Sequence, residues 1–332
     1  MHAVQATRFG APSVLELVTG LPDPEAGPGE VAIDVTHSAV GLIDLFLREG
    51  RYADQPGMPQ PPFIPGLEVA GTVRALGEGV TGLHVGEQVV AMSAGTGSGG
   101  YASVYIAKAS LTVSIEGSGI DPALAVSVIP NAAMAHVALT RVAHLSAGES
   151  VLIHGALGGL AAAFPGIAKQ LGAGQVVGTV LPSKLDAASS TKLPYDRLVS
   201  SADLLGALGE QKFDVVIDPV GGALRMQSFD VMAPGSRLLA AGNASEDWTH
   251  EVNTSQLWFR SITIAGYNAG AYLQAHPDVV PDALAAAVQA TAAGLARTAI
   301  DVLSFSEAVA AHERMESRAV VGRLVLTSEV QA

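Results

Sequence analysis

From about residue 150 onward, the chain alternates between short apolar runs and longer stretches with helical periodicity. The apolar runs predict strands at 151–154, 175–180, 213–218, 236–242 and 261–267. These runs are apolar at most positions, as expected for strands that are covered on both faces. Strand–helix alternation of this kind predicts a doubly wound parallel sheet, the Rossmann arrangement.

The first third follows a different pattern, in which short β-branched runs are separated by glycine and proline turns. Typical segments are "LPDPEAGPGEVAIDVTHSAVG" and "PGLEVAGTVRALGEGVTGLHVGEQVVAM". Turn signals at such close spacing predict an all-β, barrel-like unit. The predicted fold class is therefore α/β, with a β-barrel followed by a parallel sheet.

Three helical segments complete the pattern. The first begins near "DPALAVSVIPNAAMAHVALTRVAHL", with Asp121 as a candidate N-cap and Pro122 at the first helical position. The segment "DALAAAVQATAAGLA" predicts a second helix. The segment "SFSEAVAAHERMESRAVVGRLVL" predicts a third helix followed by a final strand.

Composition narrows the class of protein. A chain of 332 residues favours about two domains, and a net charge of −13 argues against nucleic-acid binding and for a small-molecule partner. The absence of cysteine excludes disulfides, thiolate zinc sites and a cysteine nucleophile. The N-terminus lacks the pattern of a signal peptide, and no uninterrupted apolar run reaches the ~18 residues of a membrane span. We expect a soluble, cytoplasmic protein without a membrane partner.

The strand at 151–154 leads into "GALGGLAAAFPG", which has the pattern of a dinucleotide-binding turn. Such a turn needs small residues for a tight bend, for close approach of backbone N–H groups to a pyrophosphate, and for helix–strand packing. Gly155, Gly158 and Gly159 can fill the first two roles, and Ala161 stands at the third. The predicted cofactor contacts in this turn are Gly155, Ala156, Gly158, Gly159 and Leu160.

Pro165 falls inside the helix that the pattern predicts from this turn to about Leu171. A proline in a helix interior costs roughly 3 kcal/mol or more, because it removes a hydrogen bond and clashes with the carbonyl group four residues back. One interpretation is a kink that makes room for the methyl group of Ala161. The other is that Pro165 ends a short first turn and a second helix restarts. Both leave the anion site usable, because that site needs only the first turn.

The end of the second strand bears on the choice of cofactor. NAD sites usually carry Asp or Glu there, but the chain has only apolar residues, Gly178 and Thr179. Ser183 and Lys184 follow, and a hydroxyl and an ammonium group suit a 2′-phosphate. We therefore expect NADPH rather than NADH, bound with help from Thr179, Ser183 and Lys184. The alternative is that Lys184 is a solvated surface lysine.

Several segments, in order, resemble the medium-chain dehydrogenase/reductase superfamily, specifically its zinc-independent quinone oxidoreductase (zeta-crystallin-like) branch. They are "FGAPSVLEL", "REGRYADQPGMPQPPFIPGLEVAGTVRALGEGVTGLHVGEQVV", "AGESVLIHGALGG", "FDVVIDPVGG", "APGSRLLAAGNAS" and "AHERMESRAVVGRLVL". The resemblance covers almost the whole chain. It implies a GroES-like catalytic domain over 1–122 and 270–332, a Rossmann domain over 123–269, and an active cleft between them.

The resemblance also implies roles for individual residues. Tyr52 matches a cleft tyrosine that is a candidate proton donor, and Arg318 matches a position near the cofactor. Gly242, Asn243 and Ser245 follow a Rossmann strand, where loops face the cofactor. The alternatives are a packing tyrosine, a solvated arginine and a simple turn. Lone histidines (His37, His136 and His154) and Asp218 are expected to be structural.

Family members are commonly dimers or tetramers that pair Rossmann edge strands. A homodimer is therefore expected, with "SITIAGY" as the candidate strand. Zinc-dependent relatives carry "GHE" and cysteine ligands, whereas here the place reads Gly66-Leu67-Glu68 and cysteine is absent. Leucine cannot ligate a metal, so no metal site is expected.

The implied function is reduction of a quinone or an α,β-unsaturated carbonyl compound by hydride transfer from NADPH, which needs no Lewis acid. Gly41 stands where the family often has Asn, and Met134 stands where it often has "TAY". Together with Ala161 and Pro165, these departures leave alternatives open: an enoyl-thioester or polyketide-type enone reductase, or a non-redox or cofactor-binding-only protein. The loops "YADQPGMPQPPF" and "SAGTGSGGY" are expected to set substrate specificity.

Overall fold

The computed structural model describes residues 1–93 and 99–328. The predicted loop "SAGTGSGGY" includes residues 94–98 and so lies largely outside the described residues. The strands are β1 (Ala3–Ala6), β2 (Leu15–Val18), β3 (Glu30–Val40), β4 (Glu68–Leu76), β5 (Gln88–Met92), β6 (Val104–Lys108), β7 (Thr112–Ser114), β8 (Ser150–Ile153), β9 (Gln175–Val180), β10 (Arg197–Ser200), β11 (Phe213–Asp218), β12 (Met232–Ala240), β13 (Thr263–Gly266), β14 (Ile300–Ser304) and β15 (Arg323–Thr327). The α-helices are α1 (Leu42–Glu49), α2 (Pro122–Val137), α3 (Phe164–Gln170), α4 (Leu185–Ser190), α5 (Leu204–Leu208), α6 (Gly222–Ser228), α7 (Thr254–Arg260), α8 (Ala269–Ala275), α9 (Val280–Ala292) and α10 (Ala308–Glu316).

The second half of the chain forms a six-stranded parallel sheet in the order β10-β9-β8-β11-β12-β13. Its central strands β8 and β11 pair in parallel, and their apolar residues are fully buried. The predicted strands are therefore present, and β9 and β11 have the predicted bounds. Strand β10 was missed, because the short run "RLVS" has an exposed arginine and only one buried residue.

The first third and the C-terminal segment share a second sheet, in the order β14-β15-β3-β4-β5-β7, with β6 also paired to β3. The register of β3 against β4 shifts twice, and such irregularities bend a strand as a barrel requires. Strand β15 pairs antiparallel with β3, which brings the C-terminal segment into the N-terminal barrel. The predicted fold, a GroES-like barrel plus a parallel Rossmann sheet, is confirmed.

The domain limits remain a prediction, although the sheets restrict where they can lie. Strand β13 ends the Rossmann sheet at Gly266, and β14 enters the barrel sheet at Ile300. Helices α8 and α9 lie between these strands, and α9 shares a hydrophobic core with α2. The chain therefore passes from the Rossmann sheet to the barrel sheet through these two helices, and no single residue marks the boundary between the domains.

Helix α2 is the central helix of this core. Asp121 caps it by accepting hydrogen bonds from the N–H groups of Ala123 (2.9 Å) and Leu124 (3.2 Å), as predicted. With a π-helical turn it extends over Pro122–Val142, which by length and composition alone could cross a membrane. Because 78% of its most apolar window is buried inside the protein, it has the character of a core helix.

The predicted continuous helix after the glycine turn is wrong, so Pro165 does not stand in the helix interior where a kink was expected. Residues 155–160 form turns, Ala161–Ala163 form a 3-10 turn, and α3 begins only at Phe164. Pro165 therefore lies in the first turn of α3, where its missing N–H group would have no helical partner in any case. The second interpretation is right that a short first turn is followed by a new helix, but Pro165 belongs to the new helix and does not end the first turn.

Candidate active site

The candidate site lies at the edge of the parallel sheet where the chain reverses its winding. Strands β8, β9 and β10 run outward on one side, and β11, β12 and β13 on the other. The strand order therefore reverses between β8 and β11, so the loops after these two strands leave the carboxyl edge of the sheet on opposite sides of this point. We call the place between these two loops the crevice. Open parallel sheets bind their ligands in this crevice.

The glycine turn after β8 presents unpaired backbone donors. Gly155 has a φ of 65°, the left-handed region that glycine adopts without strain. Within residues 1–93 and 99–328, the N–H groups of Leu157, Gly159, Leu160 and Ala161 donate to no protein acceptor. Consecutive free N–H groups at the start of a helical turn form an anion site. The turn can therefore hold a phosphate group although Ala161 replaces a glycine.

Three other elements fix the carbonyl groups of this turn. The hydroxyl of Tyr195 donates to the carbonyl of Ala156 (3.1 Å), and the amide of Asn131 donates to that of Gly159 (3.2 Å). The N–H group of Gly322 donates to the carbonyl of Leu157 (3.3 Å). These carbonyl groups already accept hydrogen bonds within the protein. The free N–H groups of the turn are therefore the backbone groups that can bind a ligand.

A buried ion pair lies against the turn. Arg323 donates to the carboxylate of Glu68, and both side chains are buried. A methyl group on Gly159 would lie 2.9 Å from Cδ and 3.1 Å from Nη1 of Arg323, so only glycine lets the guanidinium approach this closely. Burial raises the pKa of Glu68, although Arg323 acts in the opposite direction.

The Nε–H group of Arg323 has no hydrogen-bond partner among the described residues. A guanidinium next to free backbone N–H groups adds positive charge at the end of the turn that favours a pyrophosphate, and the carboxylate of Glu68 offsets part of that charge. Sequence reasoning missed this arginine. Its only signal was a charged residue opening the apolar strand "RLVLT".

Behind the turn, His154 connects three elements. Its ring nitrogens pair with the hydroxyls of Thr179 (Nδ1, 3.0 Å) and Ser228 (Nε2, 2.7 Å). Burial lowers the pKa of His154 to about 4, so the ring is neutral at neutral pH. The carbonyl of Thr179 accepts from the N–H group of Ala156 (2.9 Å). Thr179 and Ala156 are fully buried, so the structure gives them a positioning role behind the turn and no surface for a cofactor.

The loops after β11 and β12 interlock at the other side of the crevice. Asp218 is fully buried and accepts from the N–H groups of Val220 (2.9 Å) and Gly221 (2.8 Å), which fits the structural role predicted for it. The Asn243 and Ser245 side chains bond to each other (3.2 Å). The N–H group of Ser245 donates to the carbonyl of Val220 (2.8 Å). The predicted residues Gly242, Asn243 and Ser245 thus form one turn at the carboxyl end of β12.

At the end of β9, Ser183 is exposed and Lys184 is half-buried. The Nζ of Lys184 donates to the carbonyl of Val320 (2.8 Å), and burial lowers the pKa of Lys184. Lys184 is therefore not a freely solvated lysine. It ties the loop that would receive a ribose to the C-terminal segment of the barrel.

Tyr52 and Arg318 lie on the barrel side of the crevice. Tyr52 is half-buried and packs edge-on against Phe46, with ring centroids 6.1 Å apart. In the described part of the chain its hydroxyl has no hydrogen-bond partner, so it is available to a ligand. Arg318 donates to Glu246 (3.0 Å), which also accepts from Arg51 (2.8 Å). Through Glu246 the structure connects Arg318 and the segment of Tyr52 to the loop after β12, and the cofactor and catalytic roles of these residues stay predictions.

The two departures near the predicted nicotinamide end have structural partners. The N–H group of Gly41 donates to Asp44 (2.8 Å), which also accepts from the N–H group of Gly66 (2.9 Å). Burial raises the pKa of Asp44 to about 6. The carbonyl of Met134 accepts from the hydroxyl of Tyr267 (3.0 Å). Hydrogen bonds to other parts of the protein therefore fix the backbone at both Gly41 and Met134.

Metal ligands do not converge near this crevice. Among the residues that the structure describes, no three His, Asp or Glu side chains lie close enough to hold an ion. Leu67 occupies the place of the histidine in zinc-dependent relatives. The absence of a catalytic metal remains a prediction.

Comparison with known proteins identifies the family. Residues 27–117 match the family model "Alcohol dehydrogenase GroES-like domain", and residues 193–326 match "Zinc-binding dehydrogenase". The chain is 30% identical to a probable oxidoreductase from Mycobacterium abscessus, with a TM-score of 0.83 over 98% of both chains. It is 29% identical to the quinone oxidoreductase of Sus scrofa over 334 residues, or 98% of this chain and 97% of that protein. A mycobacterial protein solved in complex with NADPH is 26% identical, with a TM-score of 0.83 over 98% of this chain and 99% of that one. The predicted family is confirmed, and the chain belongs to the medium-chain dehydrogenase/reductase superfamily of oxidoreductases, in its quinone oxidoreductase-like branch.

Proposed function

We propose that this protein is an NADPH-dependent, zinc-independent oxidoreductase that reduces a quinone or an α,β-unsaturated carbonyl compound. The observation that carries the proposal is the anion site after β8, where free N–H groups of the turn lie beside the guanidinium of Arg323. This donor set suits a dinucleotide pyrophosphate, whose oxygens accept hydrogen bonds from backbone N–H groups at the start of a helix. The similarity to a protein that binds NADPH supports the same ligand class.

The preference for NADPH rests on the loop after β9. The end of this strand carries no acidic residue that would bind a ribose 2′-hydroxyl and repel a 2′-phosphate. Instead, Ser183 is exposed, and the ammonium group of Lys184 has one acceptor, the carbonyl of Val320, among the residues that the structure describes. Both groups can donate to a 2′-phosphate, with Gly242, Asn243, Ser245 and Arg318 bordering the rest of the cofactor.

Bound in this crevice, the nicotinamide would supply a hydride to the substrate. The protein's part is to hold the substrate carbonyl group, stabilise negative charge on its oxygen and deliver a proton. The hydroxyl of Tyr52 is the candidate proton donor, because it is half-buried in the crevice wall and has no partner in the described structure. None of these steps requires a metal ligand.

The test is a titration of the purified protein with NADPH and NADH, followed by nicotinamide fluorescence. Tight NADPH binding with weak NADH binding is expected. Lys184→Met should weaken NADPH binding by about tenfold or more and leave NADH binding unchanged, because a charge-assisted hydrogen bond to phosphate is lost. Lys192→Met is the matched control, since Lys192 is exposed and forms no ion pair within the described part of the chain. Equal binding of both dinucleotides would refute the NADPH preference.

Activity assays then separate the substrate classes. NADPH oxidation with a simple quinone or enone supports the proposal, and a strong preference for acyl-thioesters would point to the enoyl-thioester alternative. Tyr52→Phe should lower enone turnover by about 10²-fold or more at an unchanged NADPH dissociation constant, as for loss of a general acid. Failure to bind either dinucleotide would favour a non-redox function. The proposal places the enzyme in the cytoplasm as a soluble homodimer with a small-molecule substrate.

A further inference from the structure

Three charged residues join the two sides of the crevice. The carboxylate of Glu246, in the loop after β12, accepts from Arg51 through Oε2 (2.8 Å) and from Arg318 through Oε1 (3.0 Å). Arg51 follows α1, and Arg318 follows α10, so both arginines belong to the barrel side. We call Arg51, Glu246 and Arg318 the cleft triad. One carboxylate from the Rossmann side thus lies between two guanidinium groups from the barrel side.

The cleft triad is built into unusual backbone. Glu246 has a φ of 62° and Arg318 a φ of 57°, which is the left-handed region that favours glycine. Glu246 is held there by a turn, since its N–H group donates to the carbonyl of Asn243 (3.0 Å). Arg318 occupies the position after the end of α10 where helices commonly end in glycine. Charged side chains therefore stand at two positions where the backbone alone would favour glycine.

Arg51 does not depend on Glu246 for its position. Its Nε donates to Glu49, and its guanidinium lies 4.3 Å from the ring centroid of Phe46. A cation held by a second carboxylate and an aromatic face keeps its orientation when one partner is replaced. Glu246 is therefore an exchangeable partner of Arg51.

The cleft triad is also open to solvent. The side chains of Arg51, Glu246 and Arg318 are 38%, 41% and 61% exposed. Exposed ion pairs are weak, so a ligand phosphate with more charge and a better geometry for guanidinium can replace a carboxylate. The position of Arg318 also suits a cofactor phosphate. Val320, two residues further along the chain, accepts a hydrogen bond from Lys184 at the end of β9, where the ribose of a dinucleotide would lie.

We propose that Arg51 and Arg318 form a phosphate-binding site and that Glu246 is a built-in competitor, which a phosphate-bearing ligand of the crevice displaces. The inference rests on the proposed function, because it adds a specificity-determining residue to the same crevice. The phosphate can come from the dinucleotide or from a substrate such as a coenzyme A thioester. In either case Glu246 lowers affinity for phosphate and favours ligands that bring enough charge to displace it.

The test compares the wild type with Glu246→Gln and with the matched control Glu251→Gln. Glu251 lies in the same loop, is exposed and forms no ion pair with the described residues 1–93 and 99–328, so its replacement mainly changes net charge. Dissociation constants for NADPH, NADH and coenzyme A are measured by fluorescence and calorimetry at low and high salt. Glu246→Gln should tighten binding of the phosphate source about three- to tenfold, since two exposed ion pairs no longer compete. The gain should shrink in high salt.

The ligands distinguish the two sources of phosphate. Tighter binding of NADPH alone assigns the site to the 2′-phosphate, and equal gains for NADPH and NADH assign it to the pyrophosphate. A gain for coenzyme A alone assigns it to the substrate. In each case Arg51→Met and Arg318→Met should weaken binding of the same ligand. In the background of either variant, Glu246→Gln should no longer tighten the binding of that ligand.

Inorganic pyrophosphate separates this inference from the proposed function. Its effect on the melting temperature reports anion binding without a nicotinamide. If no dinucleotide binds but pyrophosphate stabilises Glu246→Gln more than the wild type, the proposed function fails and the inference holds. If Glu246→Gln matches Glu251→Gln for every ligand, the inference is overturned, whether or not NADPH binds.

Discussion

At the scale of single residues, the turn after β8 depends on buried partners that come from distant parts of the chain. Arg323 reaches it from the last strand, and His154 and Thr179 support it from behind. Each partner satisfies a buried polar group that would otherwise be costly. We therefore expect that substitutions at these partners can change the free energy of unfolding and the affinity for anions independently of each other.

Arg323→Met tests that separation. Removing one member of a buried ion pair leaves Glu68 uncompensated, and we expect a loss of about 3–5 kcal/mol in the free energy of unfolding. The double variant Arg323→Met/Glu68→Gln should recover part of this loss, because neither member of the pair is then left as an unpaired charge. Dinucleotide binding should stay weak in both variants. Urea unfolding and fluorescence titration measure the two effects, and recovery of binding in the double variant would argue against Arg323 as a phosphate ligand.

Arg314→Met is the matched control for this substitution. Its partner is Asp301, and both side chains are about half-exposed, so the pair contributes little to stability. We expect a change of less than about 1 kcal/mol and no effect on dinucleotide binding.

His154 gives the fold a defined response to acid. Its pKa is about 4 in the folded protein, because burial disfavours the charged ring, and near 6.5 when unfolded. Between these values the unfolded state binds the proton and the folded state does not, so stability falls as the pH drops from about 6.5 to 4. The predicted loss from this group is of the order of 3 kcal/mol. Urea unfolding across this range should show a shallower decline for His154→Gln than for the wild type.

The residues of the site differ in how far the sequence reveals them. The glycine turn, Ser183, Lys184 and the Asn243 loop were predictable, because strand–turn–helix order places them at one sheet edge. Arg323, Tyr195 and Asn131 were not, since their roles arise from contacts across 28 to 255 positions of sequence. Thr179 was assigned to the cofactor because its place at a strand end says nothing about which way its hydroxyl points.

At the scale of elements, the segment "FPG" is explained by where α3 begins. The helix starts at Phe164, so Pro165 falls in its first turn and not in a helix interior. Gly166 faces the backbone of residue 295, and a methyl group there would lie 2.3 Å from the carbonyl oxygen of Leu295. Period and composition predict a helix here but cannot give its first residue, because the preceding turn is shaped by partners distant in sequence.

Substitutions in this segment should have unequal effects. Gly166→Ala should destabilise the protein by about 1–3 kcal/mol, because overpacking against Leu295 outweighs the higher helix propensity of alanine. Pro165→Ala is the neighbouring control and should cost no more than about 1 kcal/mol, through the greater freedom of the unfolded chain. Thermal and urea unfolding measure both. A gain of ~3 kcal/mol for Pro165→Ala would mean that the proline strains a helix interior after all.

At the scale of the whole molecule, the C-terminal segment connects the two sheets around the crevice. It enters the barrel as β15, donates from Gly322 to the glycine turn and accepts from Lys184 at Val320. Arg318 adds the contact with Glu246. One segment of the barrel therefore contacts the carboxyl ends of β8, β9 and β12 through a few polar bonds. A ligand that replaces these hydrogen bonds can change the distance or the orientation between the barrel side and the Rossmann side of the crevice.

The proposed homodimer would form at an edge of the Rossmann sheet. Strand β13 is an edge of the Rossmann sheet, and in the described part of the chain no strand pairs with its outer side. The preceding helix α7 exposes Trp258 (74%) and Phe259 (76%), whose ring centroids lie 4.6 Å apart. Open edges and exposed aromatic patches both favour association. We expect two copies to pair along β13, with these rings at the contact.

The opposite edge of the sheet supplies the control for this dimer. Strand β10 is the other edge, and α5 beside it exposes Leu205 (43%). The double variant Trp258→Ser/Phe259→Ser should shift the mass in sedimentation equilibrium from dimer towards monomer, because burial of large aromatic surface dominates contacts of this kind. Leu205→Ser should leave the mass unchanged. Since α7 carries none of the predicted cofactor-binding residues, the monomer should still bind NADPH. A dimer that survives in the double variant would place the contact elsewhere on the molecule.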